Sequence, residues 1–379
     1  MPERVPAPIP PWPGEFMFLG RGDVFVRSAP AVTETGEPTE PALCVHGFGG
    51  SSTNWTDLMD LLRRAGAPPR YQPGGATPQD PPRYQPGGAT LRAPQDPPGR
   101  LREVMPGALA CEAVDLPGFG FSPPPPDGDY SVRAQAAAVV RLIEQRGRGP
   151  VHLIGNSLGG AVCVRAAAAR PDLVRTLTLL APAMPDLRVR VISARFCVLC
   201  VPAVGGWLLG RVGQLPAPVR VSNTLAEVFC DIDLVHPQRR AEEVAELARR
   251  DRLRYAGEAL LASARAIVAE YLRRGPRSLW RVAAGVAVPT LVIYGSHDRV
   301  VDPRMAGRAA RTFRRARVVL LPRTGHVPQM ERPGLVAAEI WSLVAAAAAE
   351  PGEQKAAGQP LYTERERDGG TAAAAVQPS

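Results

Sequence analysis

Short apolar runs alternate along the chain with longer stretches of helical pattern. The runs are rich in β-branched residues and lie at residues 42–45, 151–154, 176–180, 290–294 and 318–321. Runs of this length are typical of strands that are buried on both faces of a parallel sheet. Because helical stretches separate them, the pattern predicts an α/β fold: a doubly wound, mostly parallel sheet of about eight strands flanked by helices.

The order of the elements divides the chain into a core and an inserted region. After the run at residues 176–180, the sequence has a helical pattern over most of residues 186–280. An α/β core does not need so many consecutive helices between two strands. We therefore expect a helical cap at residues 186–280, inserted into a core formed by residues 15–185 and 281–348.

Three segments lack the pattern of a folded element. Within residues 66–100, the decapeptide PPRYQPGGAT occurs at 68–77 and again at 81–90. A segment so rich in Pro, Gly and Gln cannot bury a core, and two short copies cannot stack into a solenoid. We expect this insertion to be disordered, as well as the N-terminal residues 1–14 and the polar tail at residues 349–379.

The segment VHLIGNSLGG joins an apolar run directly to an Ala-rich helical stretch. Ser157 stands there in a G-x-S-x-G pattern with Gly155 and Gly159. A serine in such a strand–turn–helix junction takes a crowded backbone angle, so it needs small neighbours. The pattern predicts a nucleophile elbow, supported by Asn156 and the two glycines. The alternative is a serine that only caps the helix.

A serine nucleophile needs a histidine base and a carboxylate that orients the base. His326 follows the last apolar run, in the loop TGHVPQ, which is where the base is expected when the chain order is Ser, then Asp or Glu, then His. Asp298 follows the run TLVIY and is the predicted acid. Asp302 is its nearest rival, but it precedes Pro303 and is expected to be a helix N-cap. Asp186 is a more distant candidate.

The negative charge that develops on a carbonyl oxygen requires an oxyanion hole with two N–H donors. The backbone N–H of Leu158, directly after the serine, is one predicted donor. The loop HGFGGSSTNW supplies the other, from Phe48 or alternatively from Gly49. His46 and Gly47 begin this loop, and we interpret them as supporting residues rather than as a second base.

Several motifs together resemble the α/β-hydrolase fold superfamily, within it the capped serine-dependent branch of esterases, lipases and carbon–carbon bond hydrolases. They are HGFGGSSTNW, DLPGFGFS, GNSLGG, GSHDRVVDP and GHVPQMERP, and they extend over residues 15–348. The resemblance implies a catalytic triad of Ser157, Asp298 and His326. It also implies that Asp115 and Glu331 belong to loops that shape the site.

Two differences from particular enzymes of this superfamily narrow the range of expected activities. Epoxide hydrolases and haloalkane dehalogenases of this superfamily carry aspartate at the elbow, so Ser157 disfavours both. An asparagine before the nucleophile, here Asn156, resembles the pattern of the carbon–carbon hydrolases. Those enzymes, however, usually have tryptophan immediately after the catalytic histidine, where this chain has Val327. We therefore expect a carboxylesterase-like serine hydrolase. The alternatives are a meta-cleavage-type carbon–carbon hydrolase and an acyltransferase or perhydrolase; a non-enzymatic scaffold is disfavoured because all three triad positions are intact.

The predicted reaction uses no metal and no organic cofactor. The cap is apolar, which favours a small lipophilic acyl or aryl substrate over a sugar or a phosphorylated compound. Its candidate apolar side chains are Phe196, Leu199, Trp207, Leu208 and Phe229.

The net charge of +9 could indicate a nucleic acid or an anionic surface. The arginines, however, alternate with glutamates over the helical stretch at residues 238–274, which is typical of a solvated face. We expect no nucleic-acid partner. No apolar run reaches the roughly eighteen residues of a membrane span. The longest, residues 196–210, contains Pro202.

Cysteine usage and the N-terminal sequence predict a cytoplasmic protein. The six cysteines lie mostly in apolar runs and are expected to be reduced: Cys44, Cys111, Cys163, Cys197, Cys200 and Cys230. Two of them have C-x-x-C spacing, but no second pair completes a zinc site. The first residues lack the apolar stretch of a secretory signal. The oligomeric state is not predicted.

Overall fold

A computed structural model describes residues 9–32, 39–64, 108–186 and 198–349. The duplicated insertion at residues 66–100 and the C-terminal tail from residue 350 lie outside the described residues, as do Phe196 and Cys197.

An eight-stranded sheet forms the centre of the fold. The strands are β1 (Gly14–Phe18), β2 (Asp23–Ala29), β3 (Glu40–Val45), β4 (Leu109–Asp115), β5 (Val151–Asn156), β6 (Val174–Leu180), β7 (Thr290–Gly295) and β8 (Ala316–Leu321). Their order in the sheet is β1-β2-β4-β3-β5-β6-β7-β8. Strands β3 to β8 are parallel to one another, while β1 pairs antiparallel with β2 and β2 with β4. The mostly parallel sheet predicted from the sequence is confirmed.

The central strands are apolar along their whole length because helices cover both faces of the sheet. Every residue of β5 and of β7 is buried. The helices are α1 (Thr56–Leu62), α2 (Val132–Arg146), α3 (Leu158–Ala169), α4 (Val204–Gly213), α5 (Ala217–Val228), α6 (Pro237–Arg250), α7 (Ala256–Leu272), α8 (Leu279–Ala284), α9 (Met305–Thr312), α10 (Pro328–Glu331) and α11 (Pro333–Ala349). One core cluster packs α2, α3, α8 and α9 on one face, and a second packs α1 and α11 on the other.

Helices α4 to α7 lie between β6 and β7 and have a small apolar core of their own. It includes Val221, Leu225 and Phe229. A buried ion pair between Arg165 of α3 and Glu270 of α7 joins this inserted region to the helix that follows the elbow. Among the described helices, none has the length and apolarity required to cross a bilayer.

Candidate active site

Ser157 lies at the junction of β5 and α3 with φ 53° and ψ −115°. A positive φ is rare for a residue other than glycine, and such strain persists where the surrounding structure enforces it. Here the Ser157 N–H donates to the carbonyl of Leu180 on β6, at 3.0 Å, and the Ser157 carbonyl accepts the N–H of Ala183, at 2.9 Å. The crowded turn predicted from the sequence is confirmed.

The glycines around Ser157 are required by close packing of backbone on backbone. A Cβ on Gly155 would lie 2.5 Å from the carbonyl oxygen of Gly159, and one on Gly159 would collide with the carbonyl of Val45. A Cβ on Gly160 would lie 2.8 Å from Pro182. Distances below 3 Å exclude any side chain, so the start of α3 rests directly against the ends of β3 and β5.

His326 and Asp298 come together although 28 positions separate them. The ring Nδ1 of His326 lies 2.8 Å from Oδ2 of Asp298, and both side chains are buried. The other oxygen, Oδ1, accepts the N–H groups of Val300 and Val301 at 2.7 and 2.9 Å. Because an ionised carboxylate only accepts hydrogen bonds, Nδ1 carries the proton, and Nε2 presents a lone pair.

Asn156 links the elbow to the histidine loop. Its Nδ2 donates to the carbonyl of Leu180 at 3.0 Å and to the carbonyl of His326 at 3.1 Å. The other side of the elbow faces Gly47, where a Cβ would lie 3.0 Å from Asn156 Oδ1 and 3.2 Å from Ser157 Cβ. Three distant motifs therefore meet at one point. The role of Asn156 as a tie was not predicted, because nothing local in the sequence indicates it.

The predicted oxyanion donors lie on the two backbone segments next to Ser157. Leu158 is the first residue of α3, so its N–H has no acceptor within the helix. On the other segment, the Gly50 N–H donates to the Gly47 carbonyl at 3.1 Å, closing a turn with Phe48 and Gly49 at its centre. Gly49 has φ +70°, a value that glycine adopts without strain.

His46 is held as a neutral imidazole beneath this turn. Its Nε2 accepts the N–H of Leu116 at 3.0 Å, so Nδ1 carries the proton and donates to the carbonyl of Gly47 at 2.7 Å. Burial lowers the pKa of His46 below its ordinary value. These contacts agree with the supporting role inferred from the sequence.

Asp115 connects residues 46–54, here called the oxyanion loop, to the loop that follows β4. Its Oδ1 accepts the N–H of Ser52 at 2.6 Å, and its Oδ2 accepts the N–H of Phe121 at 2.8 Å. The Ser122 hydroxyl donates to the Asp115 carbonyl at 2.6 Å. Each carboxylate oxygen thus orders one loop at the carboxyl edge of the sheet.

Glu331 connects the histidine loop to the inserted region. Its Oε2 accepts the Gly325 N–H at 2.6 Å, and its Oε1 accepts the N–H groups at positions 230 and 231, both at 3.1 Å. Next to this contact, the N–H of His326 donates to the carbonyl of Val228 at 2.7 Å. The C-terminal end of α5 is therefore bonded to the backbone of the histidine itself.

The rival acids have other partners. The carboxylate of Asp302 forms an ion pair with Arg304 and accepts the Arg304 N–H at 3.0 Å. Its predicted role as an N-cap is wrong, because α9 begins at Met305 and Asp302 instead orders the turn before it. Asp186 lies beside Tyr271, whose pKa is raised mainly by burial and further by this carboxylate.

The other histidines also have local roles. His152 lies between Thr176 and Glu40, with ring contacts of 2.8 and 2.7 Å. His236 accepts the N–H of Gln238 at the start of α6, and His297 contacts the hydroxyl of its neighbour Ser296.

The apolar residues predicted for the cap lie in different environments. Phe229 is buried in the core of the inserted region, whereas Trp207 is 61% exposed. Leu199 and Leu208 are half-buried. Leu260 of α7, which was not predicted, lies against the oxyanion loop: a Cβ on Gly49 would be 3.6 Å from its Cδ1.

A sequence profile of the alpha/beta hydrolase fold family matches residues 109–333. The chain belongs to the alpha/beta hydrolase fold family. This confirms the resemblance carried by the motifs.

Curated relatives of this hydrolase-fold chain include lipases and esterases. Lipase 3 of Moraxella sp. (strain TA144) is 24% identical over 300 residues, covering 77% of this chain and 73% of that protein. Pimeloyl-[acyl-carrier protein] methyl ester esterase of Neisseria meningitidis serogroup A is 28% identical over 263 residues, covering 68% and 75%. Monoacylglycerol lipase ABHD6 of Homo sapiens is 25% identical over 243 residues, covering 64% and 69%.

Solved structures share the fold at lower identity. Cfl2 from Burkholderia cenocepacia superposes with a TM-score of 0.64 at 18% identity, covering 87% of this chain and 94% of that one. Haloalkane dehalogenase DbeA from Bradyrhizobium elkani gives 0.63 at 19% identity, covering 89% and 99%. Because such neighbours differ in chemistry, the activity must be argued from the site.

Proposed function

We propose that this hydrolase-fold protein is a serine hydrolase that cleaves carboxylic esters of lipophilic small molecules through an acyl-enzyme. The observation that carries the proposal is the His326–Asp298 hydrogen bond in a loop that Asn156 ties to the strained elbow of Ser157. A serine on a strained turn, a histidine with a fixed tautomer and a buried acid are the parts that acyl transfer requires. The lipases and esterases among the relatives support the same reaction class.

The mechanism follows from the roles of these groups. His326 Nε2 takes the proton of the Ser157 hydroxyl as its oxygen attacks the ester carbonyl. The N–H groups of Leu158 and of Phe48, or alternatively Gly49, stabilise the oxyanion of the tetrahedral intermediate. The intermediate collapses, and His326 gives its proton to the departing alcohol. Water then attacks the acyl-enzyme with His326 again as the base, which releases the acid and restores Ser157.

The inserted helices are proposed to form the cap over this site. Supporting this, the carboxylate of Glu331 accepts the N–H groups at positions 230 and 231, and the N–H of His326 donates to the last residue of α5, so the inserted region lies beside the base. Leu260 beside Gly49 gives the oxyanion loop an apolar neighbour, which favours an acyl or aryl chain over a sugar. A cytoplasmic location is also part of the proposal and rests on free thiols in the core, at Cys44, Cys111 and Cys163.

A fluorophosphonate probe tests the nucleophile, because it labels serines activated in this way. We expect labelling of the wild-type protein and none of Ser157→Ala; labelling that survives the substitution would overturn the assignment. A panel of p-nitrophenyl esters, run beside a vinylogous diketone, tests the reaction. Turnover of the esters supports ester hydrolysis, whereas turnover of the diketone alone identifies a carbon–carbon hydrolase and rejects the proposal.

A further inference from the structure

Helix α6 of the inserted region makes two hydrogen bonds to the oxyanion loop, residues 46–54. Nη1 of Arg250 donates to the carbonyl of Gly49 at 2.7 Å. Two turns of the helix earlier, Oε1 of Glu243 accepts from Nδ2 of Asn54, also at 2.7 Å. The two side chains lie seven positions apart, which is two helical turns, so both project from the same face of α6.

The Gly49 carbonyl and the Gly50 N–H belong to the same peptide group. This N–H closes the turn by donating to the carbonyl of Gly47. The guanidinium of Arg250 therefore fixes the plane of this peptide from the outside, while Gly47 fixes it from the inside. Between these two bonds lie the N–H groups of Phe48 and Gly49, the candidate oxyanion donors.

Asn54 connects Glu243 to the backbone of the loop. Its Oδ1 accepts the N–H of Ser51 at 3.0 Å, while its Nδ2 donates to Glu243. Gly50 packs so closely on this amide that a Cβ there would collide with the Asn54 oxygen. The amide thus connects the loop backbone to the carboxylate of α6, with no room for the loop to shift toward it.

Arg250, the last residue of α6, and Glu243, near the middle of the helix, are half-buried at these contacts. Burial lowers the pKa of Arg250 and raises the pKa of Glu243 to about 7. Hydrogen bonds are stronger where the local dielectric is low than at a fully exposed surface. The contacts are therefore able to hold the loop in one conformation.

We propose that Arg250 and Glu243 are positioning residues, which hold the turn at residues 47–50 so that its N–H donor faces the oxyanion above Ser157. This inference rests on the proposed function. It assigns to α6 a part in catalysis as well as in substrate enclosure: the oxyanion hole is complete only when the inserted region is seated on the loop. Neither side chain touches the reacting atoms.

The test is steady-state hydrolysis of a p-nitrophenyl ester by Arg250→Met, Arg250→Lys and Arg252→Met. A misplaced oxyanion donor stabilises the transition state less but leaves the bound substrate unaffected, so Arg250→Met should lower kcat about ten- to hundred-fold with KM changed less than about three-fold. Arg250→Lys keeps a donor and should recover part of the loss. Arg252→Met is the matched control, since it removes an exposed arginine two residues beyond Arg250, and it should retain wild-type activity.

Glu243→Gln and Glu243→Met form an independent pair should Arg250→Met fail to fold. The glutamine variant keeps the acceptor for Asn54 and should retain most of the activity. The methionine variant should have a lower kcat. It should also bind an aryl boronic acid, which mimics the tetrahedral intermediate, more weakly by a similar factor. Wild-type kcat in Arg250→Met, or equal kcat in the two Glu243 variants, overturns the inference. A rise in KM alone also overturns it, because that result makes Arg250 a substrate-binding residue. Ser157→Ala separates this failure from that of the proposed function: if it retains activity, the nucleophile assignment is what fails.

Discussion

Replacing Asp298 by asparagine should reverse the tautomer of the base. The two N–H groups of Val300 and Val301 hold Oδ1, so the amide oxygen must occupy that position. The amide NH₂ then takes the place of Oδ2 and points at Nδ1 of His326, 2.8 Å away in the native protein. Nδ1 has to become an acceptor, which moves the ring proton to Nε2, and a protonated Nε2 cannot take the proton of Ser157.

The expected loss in kcat for Asp298→Asn is about 10⁴-fold, or about 5 kcal/mol of transition-state stabilisation. The stability should change little, because the amide oxygen preserves both backbone hydrogen bonds. The assay is ester hydrolysis combined with thermal unfolding, with Asp302→Asn as the matched control. Asp302 has Arg304 as its partner, so that variant should keep its kcat. Activity of Asp298→Asn within ten-fold of the wild type, or equal losses in both variants, would refute the reasoning.

The other predictions concern stability and are checked by thermal or urea unfolding. Gly159→Ala forces a Cβ into a backbone carbonyl of β3 and should lower the free energy of unfolding by about 3 kcal/mol or more. Gly210→Ala, in open space on α4, should instead raise it by about 0.5–1 kcal/mol. Equal effects of the two substitutions would contradict the packing argument. Glu331→Gln turns an amide donor toward the Gly325 N–H and should cost about 1–3 kcal/mol; no loss would mean that this contact is not made in solution. The pKa of His46 is lowered, so below about pH 6.5 the unfolded chain binds a proton at this residue that the native state does not bind, and the free energy of unfolding falls as the pH is lowered. The free energy of unfolding of His46→Gln should fall less steeply over the same pH range. An unchanged slope would contradict the buried neutral ring.

Much of the fold could be read from local patterns. Fully apolar runs such as β5 and β7 identify strands that are covered on both faces, and turn glycines mark where each ends. The elbow was predictable for a similar reason, since its backbone strain requires glycines at fixed spacing from Ser157. Asp298 and His326 were predicted from their positions after apolar runs and from the resemblance. Their contact itself could not be read locally, because the two residues lie on loops whose meeting depends on the order of strands in the sheet.

The remaining features depend on packing between distant elements. Asn156 has the same neighbours in sequence whether or not its amide reaches the His326 carbonyl. Likewise, the alternating charges of α6 are typical of a solvated face, and only the position of that helix over the oxyanion loop distinguishes Arg250 from an exposed arginine such as Arg252. The N-cap prediction for Asp302 was wrong because proline marked a turn two residues ahead of the helix.

The hydrogen bond from the His326 N–H to the Val228 carbonyl has a consequence for how a reactant reaches the serine. Movement of the end of α5 away from the core would pull the backbone of His326 with it and would separate the imidazole from Asp298. We therefore expect the substrate to reach Ser157 on a side away from α5, while this hydrogen bond keeps that end of the inserted region in place.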